Sequence, residues 1–287
     1  PGFNSTFALS SDDPNDRLAQ MGNFTTVNGQ ALSTGAFLVT QATTTGWVIR
    51  ASTASGDPYL AGESTRFKVF PSTPSNMVAL LGPQQQVDGV GVTGLPAIEI
   101  AGEFITVRLR AVDPGFNFTP TVNKTGIRLT SDDGFAQSSW TLTMTDGVAV
   151  ASVPLRTSGI RMFTVTDQSG TQPLLAGTVS STFTMVASNP TLLRLLVPAE
   201  TPVAGSNANG RTGSVGVVPA GSTMTATVQI TDSFWNLTPG ASQQIRITSS
   251  DPYAVIIPST FTLVGSQPVD VVFRRAAFNT VRAEMLT

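Results

Sequence analysis

The chain has 287 residues, and its 16 basic and 18 acidic side chains give a net charge of −2. This balance offers no electrostatic attraction for a polyanion, so nucleic acid is excluded as an expected partner. Cysteine and histidine are both absent, which removes thiolate and imidazole metal ligands, cysteine nucleophiles and the Ser-His-Asp triad. We therefore expect a protein that is not an enzyme and has no resident cofactor, apart from the calcium hypothesis below.

The pattern of apolar residues is that of β-strands along the chain. In FITVRLR (104–110), Ile105, Val107 and Leu109 alternate with polar residues and form one apolar face. No stretch approaches the ~20 apolar residues of a membrane helix, and the N-terminus lacks a signal-peptide pattern. The sequence predicts an all-β fold without a membrane segment.

One tight turn is identified by its residues. WTLTMTDGVAVASVPL (140–155) predicts two strands around Asp146-Gly147. This dipeptide accepts the positive φ angles of a β-hairpin turn.

The chain repeats itself. AGEFITVRLRAVDPGFNFTP (101–120) aligns without a gap with AGSTMTATVQITDSFWNLTP (220–239), so Asp113 matches Asp232 and Asn117 matches Asn236. The other corresponding segments are 6–14 with 126–134 and 244–252; 45–53 with 158–167 and 279–287; 66–74 with 182–190; and 77–83 with 192–198. Each copy contains about seven short strands, a number typical of an immunoglobulin-like sandwich.

These repeats predict tandem immunoglobulin-like β-sandwich domains arranged end to end. We expect a partial domain lacking its first strands at 1–73, a complete domain at 74–188 and a domain lacking its last strand at 189–287. The linkers contain proline, which restricts bending between neighbours. PGFN at 1–4 repeats 114–117, so we expect the chain to open inside a repeat, either as part of a longer chain or with neighbouring subunits completing the terminal units.

Two short patterns carry a family resemblance. A strand ends in Asp, with Asn four residues later and Pro soon after, and the next strand ends in Ser/Thr-Ser-Asp; the third copy opens with LLRLLVPAET (192–201). The chain resembles the tandem bacterial immunoglobulin-like repeats of invasin- and intimin-type surface proteins. The family's loop usually reads Asp-x-x-Gly-Asn-Pro, whereas Phe116 and Trp235 replace the glycine here. The resemblance implies a long extracellular or cell-surface fibre protein.

Acidic loop residues form the first candidate site. Carboxylates from two loops could meet at one end of each sandwich, and carboxylate oxygens are ligands that Ca²⁺ prefers. The alternative, which we favour, is that they form Asx-turns with their own backbone. A glycosidase would need two such carboxylates facing each other across a cleft. The candidate calcium ligands are Asp113, Asp132, Asp133, Asp232 and Asp251.

Loop aromatic residues form the second candidate site. Phe116, Phe118, Phe234 and Trp235 could stack on a sugar or enter a pocket of a partner protein. The alternative, which we favour, is that they fill the interface with the adjacent domain or cap the end of the core. A third hypothesis, a bond between a lysine and an asparagine side chain as in some bacterial surface domains, requires a buried lysine beside an acid. Lys124 is expected in a polar loop, which argues against it.

Two functions remain. The first is a structural segment of a bacterial fibre, sheath or adhesin shaft, whose partners are copies of itself or neighbouring repeats. The second is an adhesin-type module whose loops at the domain ends bind a host or cell-surface glycan or protein. The comparable loops are alike in both full repeats, which favours the shaft. Strands exchanged between subunits could polymerise it.

Overall fold

The computed structural model describes residues 4–16, 23–31, 40–53 and 59–286. Every regular element within these ranges is a β-strand, so the all-β prediction is confirmed. The strands of this described part fall into three consecutive groups, which we call the first, second and third unit, and each of their pairings lies within one unit. The described part of the chain contains no helix able to cross a membrane. Residues 1–3 of the opening PGFN lie outside the described residues.

The strand bounds are as follows. The first unit contains β1 (Thr6–Ser11), β2 (Asn23–Thr25), β3 (Thr43–Trp47), β4 (Ile49–Thr53), β5 (Gly62–Glu63) and β6 (Phe67–Val69). The second contains β7 (Asn76–Leu81), β8 (Gln85–Val87), β9 (Gly91–Thr93), β10 (Glu99–Ile100), β11 (Phe104–Val112), β12 (Lys124–Ser131), β13 (Trp140–Met144), β14 (Val148–Pro154), β15 (Gly159–Arg161), β16 (Phe163–Asp167), β17 (Thr178–Val179) and β18 (Phe183–Val186). The third contains β19 (Leu192–Leu196), β20 (Thr201–Pro202), β21 (Arg211–Thr212), β22 (Thr223–Thr231), β23 (Ser242–Ser249), β24 (Val255–Ile257), β25 (Thr260–Val264), β26 (Ser266–Val272) and β27 (Val281–Met285).

The second unit is a sandwich of two antiparallel sheets. One sheet has the order β14-β11-β7 and the other β13-β12-β16-β17, so the chain crosses repeatedly between them, as in an immunoglobulin-like fold. The alternation predicted for β11 is confirmed, because Ile105, Val107 and Leu109 are buried and pack with Phe163 and Val165 of the facing sheet. Burial of each such side chain contributes about 1.5–3 kcal/mol. A short sheet, β10-β18-β15, lies beside them.

The other units repeat parts of this arrangement. In the third, β19-β22-β26-β24 faces β25-β23-β27, and Val228, Ile245 and Val271 lie in the shared core. In the first, the sheet β2-β1-β4-β5 corresponds to β13-β12-β16-β17, and the pair β3-β6 to β15-β18. The tandem immunoglobulin-like sandwich is therefore confirmed. Within the described ranges, the first unit has no counterpart of β14-β11-β7, and the third has none of β17 and β18.

One predicted alignment is wrong by a single residue. Met77 pairs with Ala111, and Leu193 pairs with Ile230, which is the counterpart of Ala111 in the repeat. Met77 therefore corresponds to Leu193, whereas the sequence alignment matched it with Leu192. A shift of one residue would turn the core-facing side chains of a strand toward solvent. Met77 and Leu193 both pack against the core of their unit, and this fixes the register.

The turn at 145–148 is confirmed, but its two strands do not form a hairpin. Asp146 and Gly147 have φ angles of 49° and 73°, and Thr145 bridges Val148. Beyond this bridge, β13 pairs with β12 and β14 pairs with β11, so the chain passes from one sheet to the other. The residues Asp146 and Gly147 are enough to predict the turn, whereas the partner of each strand depends on how the whole sandwich packs.

We expect Gly147→Ala to lower the free energy of unfolding by about 2 kcal/mol or more. A left-handed backbone costs an L-residue about 1–2 kcal/mol, and the added Cβ would collide with the Thr119 carbonyl oxygen. Gly134→Ala is the matched control, since its Cβ would meet no atom within 4 Å. Urea denaturation measures both, and equal effects of the two substitutions would contradict the prediction.

Candidate functional site at the junctions between units

The loop after β11 is organised around the carboxylate of Asp113. Its Oδ1 accepts hydrogen bonds from the backbone N–H groups of Gly115 (2.8 Å) and Asn117 (2.9 Å). The Asn117 amide Nδ2 lies 3.1 and 3.0 Å from the two carboxylate oxygens. Phe116 between them has a φ of 61°, which closes the turn. The carboxylate therefore fixes the direction of the buried Asn117 side chain.

Asn117 and Asp113 also bind the first unit and the linker. Asn117 donates from Nδ2 to the Thr40 carbonyl and accepts at Oδ1 from the Ala42 N–H, each at 2.7 Å. Asp113 Oδ2 accepts from the N–H of Ser72 in the linker at 2.8 Å. One aspartate and one asparagine thus hold the preceding unit, the linker and their own loop together.

The second junction repeats this geometry. Asn236 donates to the Arg156 carbonyl at 2.8 Å and accepts from the Ser158 N–H at 2.9 Å. Asp232 accepts from the Asn236 amide at 2.8 Å and from the N–H of Ser188 in the linker at 2.9 Å. We call the pairs Asp113–Asn117 and Asp232–Asn236 the clasps. Both members of each pair are buried.

The loop that each clasp binds belongs to the preceding unit, and an aspartate of that preceding unit holds it in place. Asp133 Oδ2 accepts from the N–H groups of Arg156 (2.6 Å) and Thr157 (2.9 Å). Burial raises the pKa of Asp133, but hydrogen bonds from the Thr157 hydroxyl and from backbone N–H groups outweigh it and lower the pKa below its usual value. In the first unit, Asp13 Oδ2 accepts from the N–H groups of Thr40 and Gln41, both at 3.0 Å. We call residues 40–42 and 156–158 the socket loops.

A second contact at each junction involves a glycine of the following unit. A Cβ added at Gly205 would lie 2.9 Å from the Thr157 Cβ and 3.0 Å from the Phe135 ring. A Cβ added at Gly89 would lie 3.0 Å from both the Asn15 amide and the Gln41 Cβ. Both glycines have positive φ angles, and the two units approach closely where they lie.

The five predicted calcium ligands therefore have other partners. Asp113, Asp133 and Asp232 accept the hydrogen bonds described above, and Asp251 accepts from the N–H groups of Tyr253, Arg274 and Arg275. Asp132 accepts from the Met162 N–H and lies 3.8 Å from the Arg161 guanidinium. Among the described residues, no three acidic side chains are grouped so that they could hold a metal ion. Asp113, Asp133, Asp232 and Asp251 each accept a hydrogen bond from the N–H two residues later, as in an Asx-turn, and their other contacts and those of Asp132 lie beyond such a turn. Calcium binding stays a prediction.

Two of the four candidate aromatic residues occupy equivalent places within their own units. Phe116 and Trp235, with φ angles of 61° and 62°, pack against Gly91 and Gly210. The Trp235 indole N–H donates to the Ala208 carbonyl at 2.8 Å. Phe116 is 40% exposed.

The other two lie in different surroundings. Phe118 lies under the Arg110 guanidinium, 4.8 Å from its ring centroid. Phe234 lies between units, where it packs against the core of the second unit and Gly102, with the Arg156 guanidinium 5.7 Å from its ring centroid. Phe234 therefore adopts the interface position expected of the aromatic residues. Binding of a ligand by the aromatic residues stays a prediction.

The expectation for Lys124 is wrong. This residue begins β12 and is only 6% exposed, with Nζ 3.0 Å from Asp167 Oδ2 and 2.6 Å from the Thr171 carbonyl. Burial raises the pKa of Asp167, but hydrogen bonds from the Leu175 N–H, from Ser169 and from Lys124 outweigh it and lower the pKa from 3.8 to about 2. The neighbour is a charged aspartate and not an asparagine, so the contact is a buried ion pair.

Sequence reasoning missed the functional role of Asn117 and Asn236. The signal was present, since both repeats carry Asp-x-x-x-Asn at the same place. Sequence spacing could not reveal that the asparagine side chain binds the preceding unit, because the residues it contacts lie about 80 positions earlier.

No protein-family model matches the sequence, and no curated protein matches it significantly. Solved structures resemble it at low identity. Escherichia coli alpha-2-macroglobulin is 10% identical, with 99% of this chain and 27% of that chain covered and a TM-score of 0.36. FdeC, an Escherichia coli adhesin, is 15% identical, with 99% and 82% covered and a TM-score of 0.33. Invasin, a bacterial integrin-binding protein, is 14% identical, with 98% and 50% covered and a TM-score of 0.30.

Invasin and FdeC are proteins of the kind that the sequence resemblance suggested. At these TM-scores, however, the likenesses assign neither a family nor a function to this chain. The chain also spans only 27% of the macroglobulin and half of invasin.

We expect Asn236→Ala to lower the free energy of unfolding of the third unit by about 2–4 kcal/mol. The substitution removes a partner of the partly covered Ser158 N–H and Arg156 carbonyl and of the buried Asp232 carboxylate. An unsatisfied buried group costs about 1–3 kcal/mol, and partly covered groups lie near the lower end of this range. Urea denaturation and amide hydrogen exchange at Ser158 measure the effect. Asn189→Ala, an exposed position in the same linker, is the control and should change stability by less than about 0.5 kcal/mol. Unchanged exchange at Ser158 in the Asn236 variant would contradict the clasp.

We expect Asp167→Asn to destabilise the second unit by about 3 kcal/mol near neutral pH, because it leaves a buried lysine without its counter-charge. The folded-state pKa of Asp167 lies below its unfolded value of 3.8. Its contribution is therefore complete above pH 3.8 and is lost as the pH falls toward about 2. Urea denaturation across this range should show the two proteins converging. Glu284→Gln, which removes the partially exposed pair with Arg246, should have little effect at any pH.

Proposed function

We propose that this chain is a non-catalytic structural segment of a bacterial extracellular or cell-surface fibre, sheath or adhesin shaft. The observation that carries the proposal is that the same clasp joins the first unit to the second and the second to the third. Each clasp fixes three pieces of backbone by hydrogen bonds at 2.7–2.9 Å. A repeated, directional junction of this kind sets the angle between successive units and produces a semi-rigid array.

At the ends of the units that meet in the two junctions, the clasps favour a shaft over a binding module. The loops that an adhesin would use for recognition contain Asn117 and Asn236, and these residues are 3% and 0% exposed and hydrogen-bonded to the preceding unit. A glycan or protein receptor could not reach them without opening a junction. The alternative, a receptor-binding module, therefore depends on other surfaces. One is an open groove of about 600 Å³ beside the second junction, between Val186 and Pro239.

Strand complementation between subunits remains part of the proposal. In the second unit, β17 covers the edge of β16, whereas in the described part of the third unit no strand pairs with the outer edge of β27. An unpaired edge presents N–H and C=O groups to which a strand from another chain can add. Such strand addition would join two chains through backbone hydrogen bonds alone.

Small-angle scattering tests the shaft directly. A compact globule of this length has a radius of gyration of about 19 Å, and we expect a value well above this, with the pair-distance distribution of an elongated particle. The double variant Asn117→Ala, Asn236→Ala should retain folded units but show greater flexibility in the same experiment, because both junctions lose their hydrogen bonds. A particle with a radius of gyration near that of a globule would overturn the proposal.

A further inference from the structure

The third unit carries a socket loop of its own at residues 274–276. Asp251 Oδ2 accepts hydrogen bonds from the N–H groups of Arg274 (2.7 Å) and Arg275 (2.9 Å). Asp133 fixes Arg156 and Thr157 in the same way, at 2.6 and 2.9 Å. The loop is thus preformed without any contact from a following unit.

The groups that a clasp would bind are free at this loop. At the second junction, Asn236 uses the Arg156 carbonyl and the Ser158 N–H. Their counterparts are the Arg274 carbonyl and the Ala276 N–H, and within residues 59–286 no hydrogen bond reaches either group. Residues 274–276 are exposed, whereas residues 40–42 and 156–158 are partly covered.

The second contact of the junction is prepared in the same way. Phe135 lies two residues after Asp133 and packs against Gly205 of the following unit. Its counterpart, two residues after Asp251, is Tyr253, and this ring is 69% exposed. An exposed aromatic ring beside unpaired backbone groups resembles the second junction with its partner removed.

The side chain of Arg274 indicates what the partner carries. Its counterpart, Arg156, lies over the ring of Phe234, which stands two residues after the clasp aspartate. In the first junction the socket loop begins with Thr40, and the corresponding residue after Asp113 is Gly115. An arginine at the start of the socket loop therefore goes with an aromatic residue in the clasp loop, since a guanidinium is attracted to an aromatic face.

We propose that Tyr253, Arg274, Arg275 and Ala276 form a docking socket for a further immunoglobulin-like unit. This inference rests on the proposed function and names the partner of one end of the array. The partner carries Asp-x-aromatic-x-Asn in the loop that follows its counterpart of β22. It also carries a glycine at the position that corresponds to Gly205. Its asparagine accepts from the Ala276 N–H and donates to the Arg274 carbonyl, and its glycine lies against Tyr253.

The third unit itself has these features at its other end, in Asp232, Phe234, Asn236 and Gly205. The test therefore uses an extended chain in which a second copy of residues 168–287 follows Met285. Met285 corresponds to Asp167, because they pair with Ile245 and Ile127 at matching positions of the repeat. The added residues supply counterparts of β17 and β18, the linker and another third unit.

Amide hydrogen exchange at Ala276 is the readout, because a bound amide exchanges only when its contact opens. We expect exchange at Ala276 to be at least about tenfold slower in the extended chain than in the original chain. Replacing the second copy of Asn236 by Ala should restore fast exchange at Ala276. The same replacement at the original Asn236 should accelerate exchange at Ser158 and leave Ala276 protected.

Exchange at Ala276 that is equally fast in both chains, or protection that survives loss of the added asparagine, overturns the inference. If the added unit does not fold, residues 168–187 followed by 72–186 provide a second extension with the clasp of Asp113 and Asn117. Gly115 of this copy offers no aromatic ring to Arg274, so we expect slower exchange at Ala276 by a smaller factor, and no slowing overturns the inference. Small-angle scattering of the original three-unit chain is independent of this result, so a failed socket is distinguishable from a failed shaft.

Discussion

The structure depends on one constraint, which is that backbone groups buried between two sandwiches must find hydrogen-bond partners. The socket loops at residues 40–42 and 156–158 lie outside the strands, and the junctions partly cover them. Two side chains meet this requirement at each junction. An aspartate binds the N–H groups of its own loop and of the linker, and an asparagine binds one carbonyl and one N–H of the preceding unit.

This division of tasks explains why asparagine stands at the contact itself. Its amide offers a donor and an acceptor side by side, so it can bind a carbonyl and an N–H two residues apart, as it does at Thr40 and Ala42. An ionised aspartate in the same place has no donor, so it could not bind the carbonyl oxygen. The charged residue stands instead where donors converge, at Asp113 and Asp133, and its hydrogen bonds are the stronger, charge-assisted kind.

The polar junctions contrast with the units that they connect. Among the residues that the structure describes, the second unit and the third each have a cluster of buried apolar residues of their own. Phe234 is the side chain that links the third unit to the core of the second. Stability is therefore mainly a property of each unit, whereas orientation is a property of the junctions. This separation suits an array in which units vary in their interior while the spacing between them stays constant.

The sequence by itself determined the all-β class, the tandem repeats and the alternation of β11, because these follow from local periodicity and turn chemistry. It also placed Asp113 and Phe116 at positions that correspond to Asp232 and Trp235. Only the tertiary structure decided that β13 and β14 join different sheets, that Met77 corresponds to Leu193, and that Lys124 is buried against Asp167. It also decided that Asn117 binds a unit that precedes it. The physical reason is that strand partners, burial and junction hydrogen bonds depend on residues far apart in the chain, whose proximity arises only when the two sheets pack and successive units meet.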